Sequence, residues 1–351
     1  MKRRISFVLS LSLILSPFSN VFAIDTEKVY DMAESSIRYL YKTVQNPQIG
    51  AIGGEWTILA LKRSGADIPR EYYEKYYRNV ENYVKECEGV IHKRKYTEYS
   101  RVILALSAIE KDPQNVAGYN LLKYIADYEK TIWQGTNGPI YALLAIDSKN
   151  YEIPQNTEAL VQATKSMYIN RILELQLPDG GWSLSSRGGQ TSDADITGMA
   201  LQALAKYRDD AKVSEAIEKA LLCMSSLQDT DGGFSSYGEK NCESTVQMLV
   251  ALCELGIKID DKRFVKNGKT LLDSLESFYI KTGGFSHIIG GDTDLMATEQ
   301  GLCALVALKR VLEGKSSLYS MKENEVVKYS AASVYLKAVY MLEQLLREKN
   351  K

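Results

Sequence analysis

The chain has 351 residues and a net charge of −1, a length that suits two average domains or one large domain built from repeats. This balance of charge excludes the basic footprint of nucleic-acid-binding proteins, and we expect no nucleic-acid partner. The five cysteines are odd in number and lack Cys-x-x-Cys spacing, which argues against a disulfide framework and against a zinc site. We therefore predict no metal, and the sequence assigns no cofactor.

The N-terminus carries the pattern of a secretory signal. Residues 2–4 are basic, residues 5–18 are apolar, and Val21 and Ala23 place small side chains at the two positions that a signal peptidase reads. The apolar run is too short to span a bilayer comfortably, and no later segment is apolar enough to do so. We predict a signal peptide over residues 1–23, a mature chain from Ile24 without a transmembrane segment, and a secreted or cell-surface location.

Six short apolar helices recur along the mature chain. They are predicted over residues 55–61, 98–108, 137–146, 195–205, 243–255 and 299–311, and they align on Leu61, Leu104, Leu143, Leu201, Leu249 and Leu305. In this alignment the sixth position before each leucine is acidic in five helices and Asn in one: Glu55, Glu98, Asn137, Asp195, Glu243 and Glu299.

More polar helices with apolar residues at i, i+3, i+4 and i+7 alternate with the apolar ones. They are predicted over residues 27–44, 70–88, 118–133, 157–176, 213–227 and 263–278. An apolar helix that packs on both sides must lie inside a ring of amphipathic helices. The sequence therefore predicts an all-α fold, an α/α toroid of about six helix pairs that forms one domain over residues 24–351. A last helix over residues 326–347 is expected to close it.

A turn motif precedes three of the apolar helices. It reads Gln-x-x-Asp-Gly-Gly-aromatic at residues 176–182 and 228–234 and is shortened to Gly-Gly-Phe at residues 283–285. The glycines supply the positive φ of a tight reversal. The aromatic residues are Trp182, Phe234 and Phe285, and packing against the helix pair below is the favoured interpretation of their role.

This motif, followed by an acid-led apolar helix, resembles the repeat of squalene and terpene cyclases and of protein prenyltransferase β subunits. The resemblance is clear over residues 176–311 and weaker over residues 53–148, and the toroid domain of intrinsic factor and transcobalamin is similar. It implies the α/α toroid but no particular activity. Within the cyclase motif Asp-x-Asp-Asp-Thr, the residues Asp193, Asp195 and Thr197 match, whereas Ile196 replaces the third aspartate.

The resemblance leaves enzymatic alternatives open. In a terpene cyclase or another isoprenoid-modifying enzyme, Asp195 would act as the general acid with Asp193 beside it, which requires a desolvated carboxyl group. A zinc-dependent prenyl transfer is rejected, because the Asp-x-Cys element is missing and His92 and His287 are the only histidines. A glycosidase would need two opposed carboxylates, Asp195 with either Glu243 or Glu299.

The leading interpretation is a protein that binds a ligand in the centre of the ring. The register residues Glu55, Glu98, Asn137, Asp195, Glu243 and Glu299 would gather at one end, with the aromatic residues Trp56, Tyr99, Trp182, Phe234, Tyr237 and Phe285 around them. Such a bowl suits an isoprenoid, a corrinoid, a glycan or a peptide as partner. Capping of the helix N-termini is the alternative explanation for one acid per helix.

Overall fold

A computed structural model describes residues 24–185, 191–236 and 238–323. Six inner helices form a closed ring in which each packs against the next and the last packs against the first. They are α2 (Glu55–Ser64), α4 (Thr97–Ala108), α6 (Asn137–Ser148), α8 (Ala194–Leu204), α10 (Cys242–Leu255) and α12 (Leu295–Leu312). The predicted all-α toroid is thus confirmed.

Outer helices alternate with the inner ones along the chain. They are α1 (Thr26–Thr43), α3 (Arg70–Glu86), α5 (Tyr128–Ile132), α7 (Lys165–Glu174), α9 (Ala211–Leu227) and α11 (Leu271–Ser277). Short 3-10 helices lie at Leu121–Lys123, Ala205–Tyr207 and Lys262–Phe264, and two antiparallel hairpins pair β1 (Ser235–Ser236) with β2 (Glu239–Lys240) and β3 (Phe285–Ser286) with β4 (Thr293–Asp294). Because every inner helix follows an outer one, all six inner helices run in the same direction.

The core is continuous around the ring. Each inner helix buries nearly all of its side chains, which places apolar residues against both the outer helices and the centre. All five cysteines are free thiols, and four of them are buried. In the part of the chain that the structure describes, no helix is long and apolar enough to cross a bilayer. The predicted signal peptide (1–23) and the predicted closing helix (326–347) lie outside the described residues.

Three outer helices are shorter than predicted, because capping side chains start them later. Thr164 accepts a hydrogen bond from the backbone N–H of Met167 and starts α7, so that residues 157–163 stay non-helical. Thr270 and Asp273 form a reciprocal capping box that starts α11. The segment predicted as one helix over residues 118–133 is a 3-10 turn followed by the short α5, whose first turn is capped by Asp127.

The turn motif joins each outer helix to its inner partner. The backbone N–H of the aromatic residue donates to a threonine hydroxyl one turn into the inner helix: Trp182 to Thr197 (2.9 Å), Phe234 to Thr245 (3.3 Å) and Phe285 to Thr298 (2.9 Å). The second glycine allows this approach, since a Cβ on Gly181 would lie 2.8 Å from the Thr197 hydroxyl.

These threonines correct the register of the sixth inner helix. Thr197 and Thr245 lie two residues after Asp195 and Glu243, whereas Thr298 lies two residues after Met296. Glu299 is therefore three residues, almost one helical turn, further into the ring than the alignment on Leu305 predicts. Met296 occupies the position equivalent to Asp195 and Glu243.

Candidate functional site

We call the end of the ring at which the inner helices begin the mouth, and the end at which they finish the base. The six register residues all lie in the first or second turn of an inner helix, so that the parallel helices bring them to the mouth. Three of these helices are capped by a different side chain: Asp193 caps α8, Asn241 caps α10 and Asp294 caps α12. Capping therefore does not account for Asp195, Glu243 or Glu299.

One side of the mouth, between α12, α2 and α4, contains an arginine among three glutamates. Arg101 forms an ion pair with Glu98, and the carboxylates of Glu55 and Glu299 lie within its electrostatic reach. Glu299 is 2% exposed, and its Oε2 accepts hydrogen bonds from the Thr57 hydroxyl (2.8 Å) and from a backbone N–H (2.9 Å). Burial raises the pKa of Glu299 to about 7, and the charge of Glu55 adds to the rise.

Glu55 is held at the edge of the same side. Its Oε1 accepts hydrogen bonds from the backbone N–H of Gly50 (2.9 Å) and from the hydroxyl of Tyr76 (3.1 Å). Its Oε2 is buried and has no hydrogen-bond partner among the described residues. Burial raises the pKa of this carboxyl group above its usual range.

The opposite side of the mouth, between α8 and α10, carries two aspartates that differ in their hydrogen bonds. Asp193 uses both oxygens in the structure, because Oδ1 accepts the N–H of Ile196 (3.1 Å) and Oδ2 accepts the Ser236 hydroxyl (2.6 Å). Asp195 has a buried Oδ1 that accepts no well-formed hydrogen bond in the described chain, although the Ser244 hydroxyl lies near this carboxyl group and favours its charged form. Burial raises the pKa of Asp195 to about 6, and the charges of Asp193 and Glu243 reinforce the shift.

His287 completes this side, and sequence reasoning gave it no role in the site. Its Nδ1 lies 2.8 Å from Oε2 of Glu243, while its backbone carbonyl accepts the N–H of Cys242 at 2.9 Å. Glu243 is 7% exposed, its other oxygen, Oε1, lacks a donor within the described ranges, and burial raises its pKa. The sequence signal was the place of His287 in the loop that leads to α12.

Asn137 and Tyr141 on α6 lie between the two sides. Oδ1 of Asn137 is a further buried acceptor with no partner in the described part of the chain. The Tyr141 hydroxyl contacts the Met199 sulfur at 3.3 Å, and its ring lies 6.0 Å from the ring of Trp56. Burial raises the pKa of Tyr141, with Arg101 opposing the shift.

The predicted rim of aromatic residues is wrong for four of its members. Trp182, Phe234 and Phe285 are fully buried between inner and outer helices, and the Trp182 indole N–H donates to a backbone carbonyl of α7 at 2.7 Å. Tyr99 is also buried, and it stacks on Tyr124 with ring centroids 4.2 Å apart. These rings pack in the wall of the toroid, because burying a large aromatic side chain stabilises the fold. Tyr237 lies outside the described residues.

The bore below the mouth is almost filled by side chains. Its cavity of about 30 Å³ holds roughly two water molecules. Side chains from five inner helices and the C-terminal segment line it, among them Trp56, Tyr141, Met199, Gln247, Gln300 and Tyr319. A chain of hydrogen bonds runs along the bore: the Tyr319 hydroxyl donates to Gln202 (2.8 Å), Gln202 donates to Gln247 (2.9 Å) and Gln247 donates to Gln300 (3.0 Å). A large ligand therefore has no room in the bore as it stands.

The base is closed by the segment 315–323. Arg63 and Arg310, at the ends of α2 and α12, both donate to the hydroxyl of Ser316 (2.9 and 2.8 Å) and both pair with Glu323 (2.6 and 2.8 Å). Arg63 also donates to three backbone carbonyls of this segment. Among the residues described, no group of three His, Cys, Asp or Glu side chains is arranged to hold a metal ion.

A closed ring of six parallel inner helices, surrounded by outer helices, places the chain in the class of α/α-toroid proteins. Two overlapping matches, over residues 137–264 and 246–335, identify the particular family, the prenyltransferase alpha-alpha toroid domain. Together they span more than half of the sequence, and the chain belongs to this family. No curated protein matches the sequence.

Solved structures of several activities share the fold. An unsaturated glucuronyl hydrolase from Bacillus sp. GL1 aligns with a TM-score of 0.54 and 13% identity over 85% of this chain and 99% of its own. Protein geranylgeranyltransferase-I from Candida albicans aligns with a TM-score of 0.53 and 12% identity, covering 89% and 98%. The type II terpene cyclase MstE from Scytonema gives 0.50 and 13%, covering 80% and 97%. At such identities the likeness establishes the fold alone.

Proposed function

We propose that the protein is an exported ligand-binding toroid whose mouth takes a ligand rich in hydrogen-bond donors. One observation carries this proposal: buried acceptor oxygens of Asn137, Asp195 and Glu243, on three successive inner helices, have no donor among the described residues. A buried acceptor left without a hydrogen bond costs about 1–3 kcal/mol. A ligand with ammonium, guanidinium or hydroxyl groups would remove that cost, whereas an isoprenoid would not.

Binding of small probes tests the proposal. Isothermal titration with N-acetyl-lysine amide, N-acetyl-arginine amide, cellobiose and farnesol should show binding of at least one donor-rich probe and none of farnesol. Asp195→Asn with Glu243→Gln should weaken that binding by about ten-fold or more. Glu215→Gln, an exposed glutamate on α9, is the matched control and should leave it unchanged. Tight binding of farnesol, with an affinity that neither substitution changes, would contradict the proposal.

Proton release adds a second readout. Because Asp195 has a pKa of about 6, a cation that binds beside it expels the proton that this carboxyl group carries near that pH. Titrations at pH 6 in buffers of different ionisation enthalpy should show proton release for an amine probe and none for cellobiose.

A second candidate is acid catalysis by Asp195, favoured by its desolvated carboxyl group with a pKa of about 6. The small bore and the structural use of both oxygens of Asp193 argue against a cyclase. Incubation with squalene, farnesol and geranylgeraniol, followed by gas chromatography, should give no cyclic product. A product that disappears in Asp195→Asn would replace the binding proposal with this one.

The export proposal rests on the pattern of the first 23 residues, with basic residues at positions 2–4 and Ala23 before the predicted cleavage point. N-terminal sequencing of protein recovered from the culture medium or the cell surface should begin at Ile24. A cell-associated mature chain that still carries Lys2 would contradict it.

A further inference from the structure

Large apolar side chains are exposed on the loops that enter the inner helices. Counting only the described residues, five of the six entry loops carry at least one: Ile52, Val90, Trp133, Leu184, and the neighbouring Ile288 and Ile289. Ile52, Trp133 and Ile289 are more than half exposed. Single exposed apolar residues need no explanation, but their repetition at the same end of successive repeats does.

The entry loops form a continuous collar around the mouth, which we define as residues 47–54, 89–96, 133–136, 181–185 with 191–193, 234–236 with 238–241, and 285–294. Each loop, or the helix start that follows it, touches the next. Thr97 donates its N–H to Gln134, and Thr136 donates its hydroxyl to the carbonyl of Ser183 at 2.7 Å. Gly53 donates its N–H to Glu299.

Neighbouring loops also contact each other on the α8 and α10 side, and the loop before α2 lies close to the start of α4. The Ser236 hydroxyl donates to Asp193, and the Cys242 N–H donates to the carbonyl of His287. A Cβ on Gly50 would lie 3.5 Å from the carboxylate of Glu98. The apolar side chains are therefore carried by a single linked surface.

The loops of the collar differ in charge between its two sides, and Arg101 partly offsets the three glutamates at the starts of α2, α4 and α12. Lys93, Arg94 and Lys95 lie on the loop before α4, where the Arg94 guanidinium stacks on Trp133 at 4.1 Å. Asp195 and Glu243 lie on the α8 and α10 side, with His287 as the neighbouring basic group. Leu184 and the pair Ile288 and Ile289 are the exposed apolar residues of that acidic side.

Two features limit what can occupy the acidic side. The bore beneath has a cavity of only about 30 Å³, so an acyl or isoprenyl chain cannot descend into it. Among the described residues of this side, the aromatic rings of Trp182, Phe234 and Phe285 are buried in the wall and offer no platform on which a sugar ring could stack. A ligand must instead lie across the collar, with apolar contacts on either side of a donor group.

We propose that the collar docks an extended peptide segment of a partner protein, whose lysine or arginine side chain enters between Asp195 and Glu243. Its flanking apolar side chains rest on Leu184 and on Ile288 and Ile289. This inference rests on the proposed function and names the class of ligand. Glu243 is the residue on which the inference depends, because its side chain is nine-tenths buried and its Oε1 accepts no hydrogen bond within the described chain.

Three fluorescein-labelled nine-residue peptides test the inference by fluorescence anisotropy. The first has a central lysine flanked by leucine and valine, the second replaces the lysine with norleucine, and the third flanks the lysine with serine and glycine. The first should bind at least about ten-fold more tightly than either of the others, because only it uses both the carboxylates and the apolar contacts.

Substitutions on the protein separate the two contributions. Leu184→Ser and Ile289→Ser should weaken the first peptide several-fold and leave N-acetyl-lysine amide unchanged. Leu222→Ser, on the outer helix α9 and 62% exposed, is the matched control and should change neither.

The outcomes distinguish the two proposals. Equal affinity of all three peptides, together with binding of the lysine amide, overturns the peptide inference and leaves the donor-rich ligand in place. Cellohexaose that binds more tightly than the first peptide also overturns the inference while supporting a donor-rich ligand. No binding by any amide, sugar or peptide overturns both.

Discussion

The mouth and the base of the ring use charge in opposite ways. Helix dipoles favour acids where the inner helices begin and bases where they end, and the toroid follows this rule at both ends. At the base, Arg63 and Arg310 donate to one serine hydroxyl, to one glutamate and to backbone carbonyls. At the mouth, carboxylate oxygens of Asp195 and Glu243 remain without donors in the described residues.

This difference separates a structural cluster from a candidate site. Burial lowers the pKa of Arg63 to about 10, yet its hydrogen bonds within segment 315–323 and to Glu323 keep that charge compensated. Burial raises the pKa of Asp195 to about 6, and the Ser244 hydroxyl and His287 oppose the shift without cancelling it. Asp195 is therefore the group whose charge and hydrogen bonding a ligand can change.

The largest expected effect is loss of the base cluster. Arg63→Met leaves the carbonyls of Ser317 and Leu318 without their arginine donor and leaves Ser316 and Glu323 with Arg310 alone, so it should lower the free energy of unfolding by about 2–5 kcal/mol. Urea denaturation followed by circular dichroism measures this. Lys219→Met, in an exposed ion pair on α9, should cost less than about 1 kcal/mol. An equal loss of unfolding free energy in the two variants would show that the arginine cluster at the base does not stabilise the fold more than an exposed ion pair does.

The sequence predicted the ring because apolar and amphipathic helices alternate in it, but it could not fix the phase of α12. Leu302 and Leu305 are both fully buried, and a helix that is apolar on all sides has no periodic signal from which to choose its register. The hydrogen bond from the Phe285 N–H to Thr298 and the cap by Asp294 set it. The pairing of His287 with Glu243 was equally hidden, because it joins residues 44 positions apart.

A smaller effect should appear in the pH dependence of stability through Glu299. Its pKa is raised from the model-peptide value of about 4.3 to about 7, so the folded state binds more protons than the unfolded state between these values. The stability of the wild type should fall as the pH rises from about 4.5 to 7. Glu299→Gln should make that fall smaller, because Asp195 and the other buried carboxyl groups still contribute to it, and should gain roughly 1–3 kcal/mol above pH 7.

Thermal unfolding at half-unit pH steps measures this dependence. The exposed Glu158→Gln serves as control and should retain the wild-type profile. A Glu299→Gln profile parallel to the wild type would show that the carboxyl group at the mouth is compensated like the groups at the base.

The smallest pair of effects comes from Asp193 and Asp195, two residues apart, whose substitutions should move stability in opposite directions. Asp193→Ala removes the side-chain cap of α8 and the acceptor of the Ser236 hydroxyl, and it should cost about 1 kcal/mol at any pH above 5. Asp195→Asn removes a carboxyl group whose ionisation is disfavoured by burial, since its pKa is about 6. The variant should therefore gain about 1 kcal/mol at pH 8 and little at pH 4.5, because the folded wild type keeps its proton there. Chemical denaturation of both variants at these two pH values measures the signs. A loss of stability in Asp195→Asn at pH 8 would mean that this carboxylate is held by partners as Asp193 is, and the contrast between the mouth and the base would then disappear at its central residue.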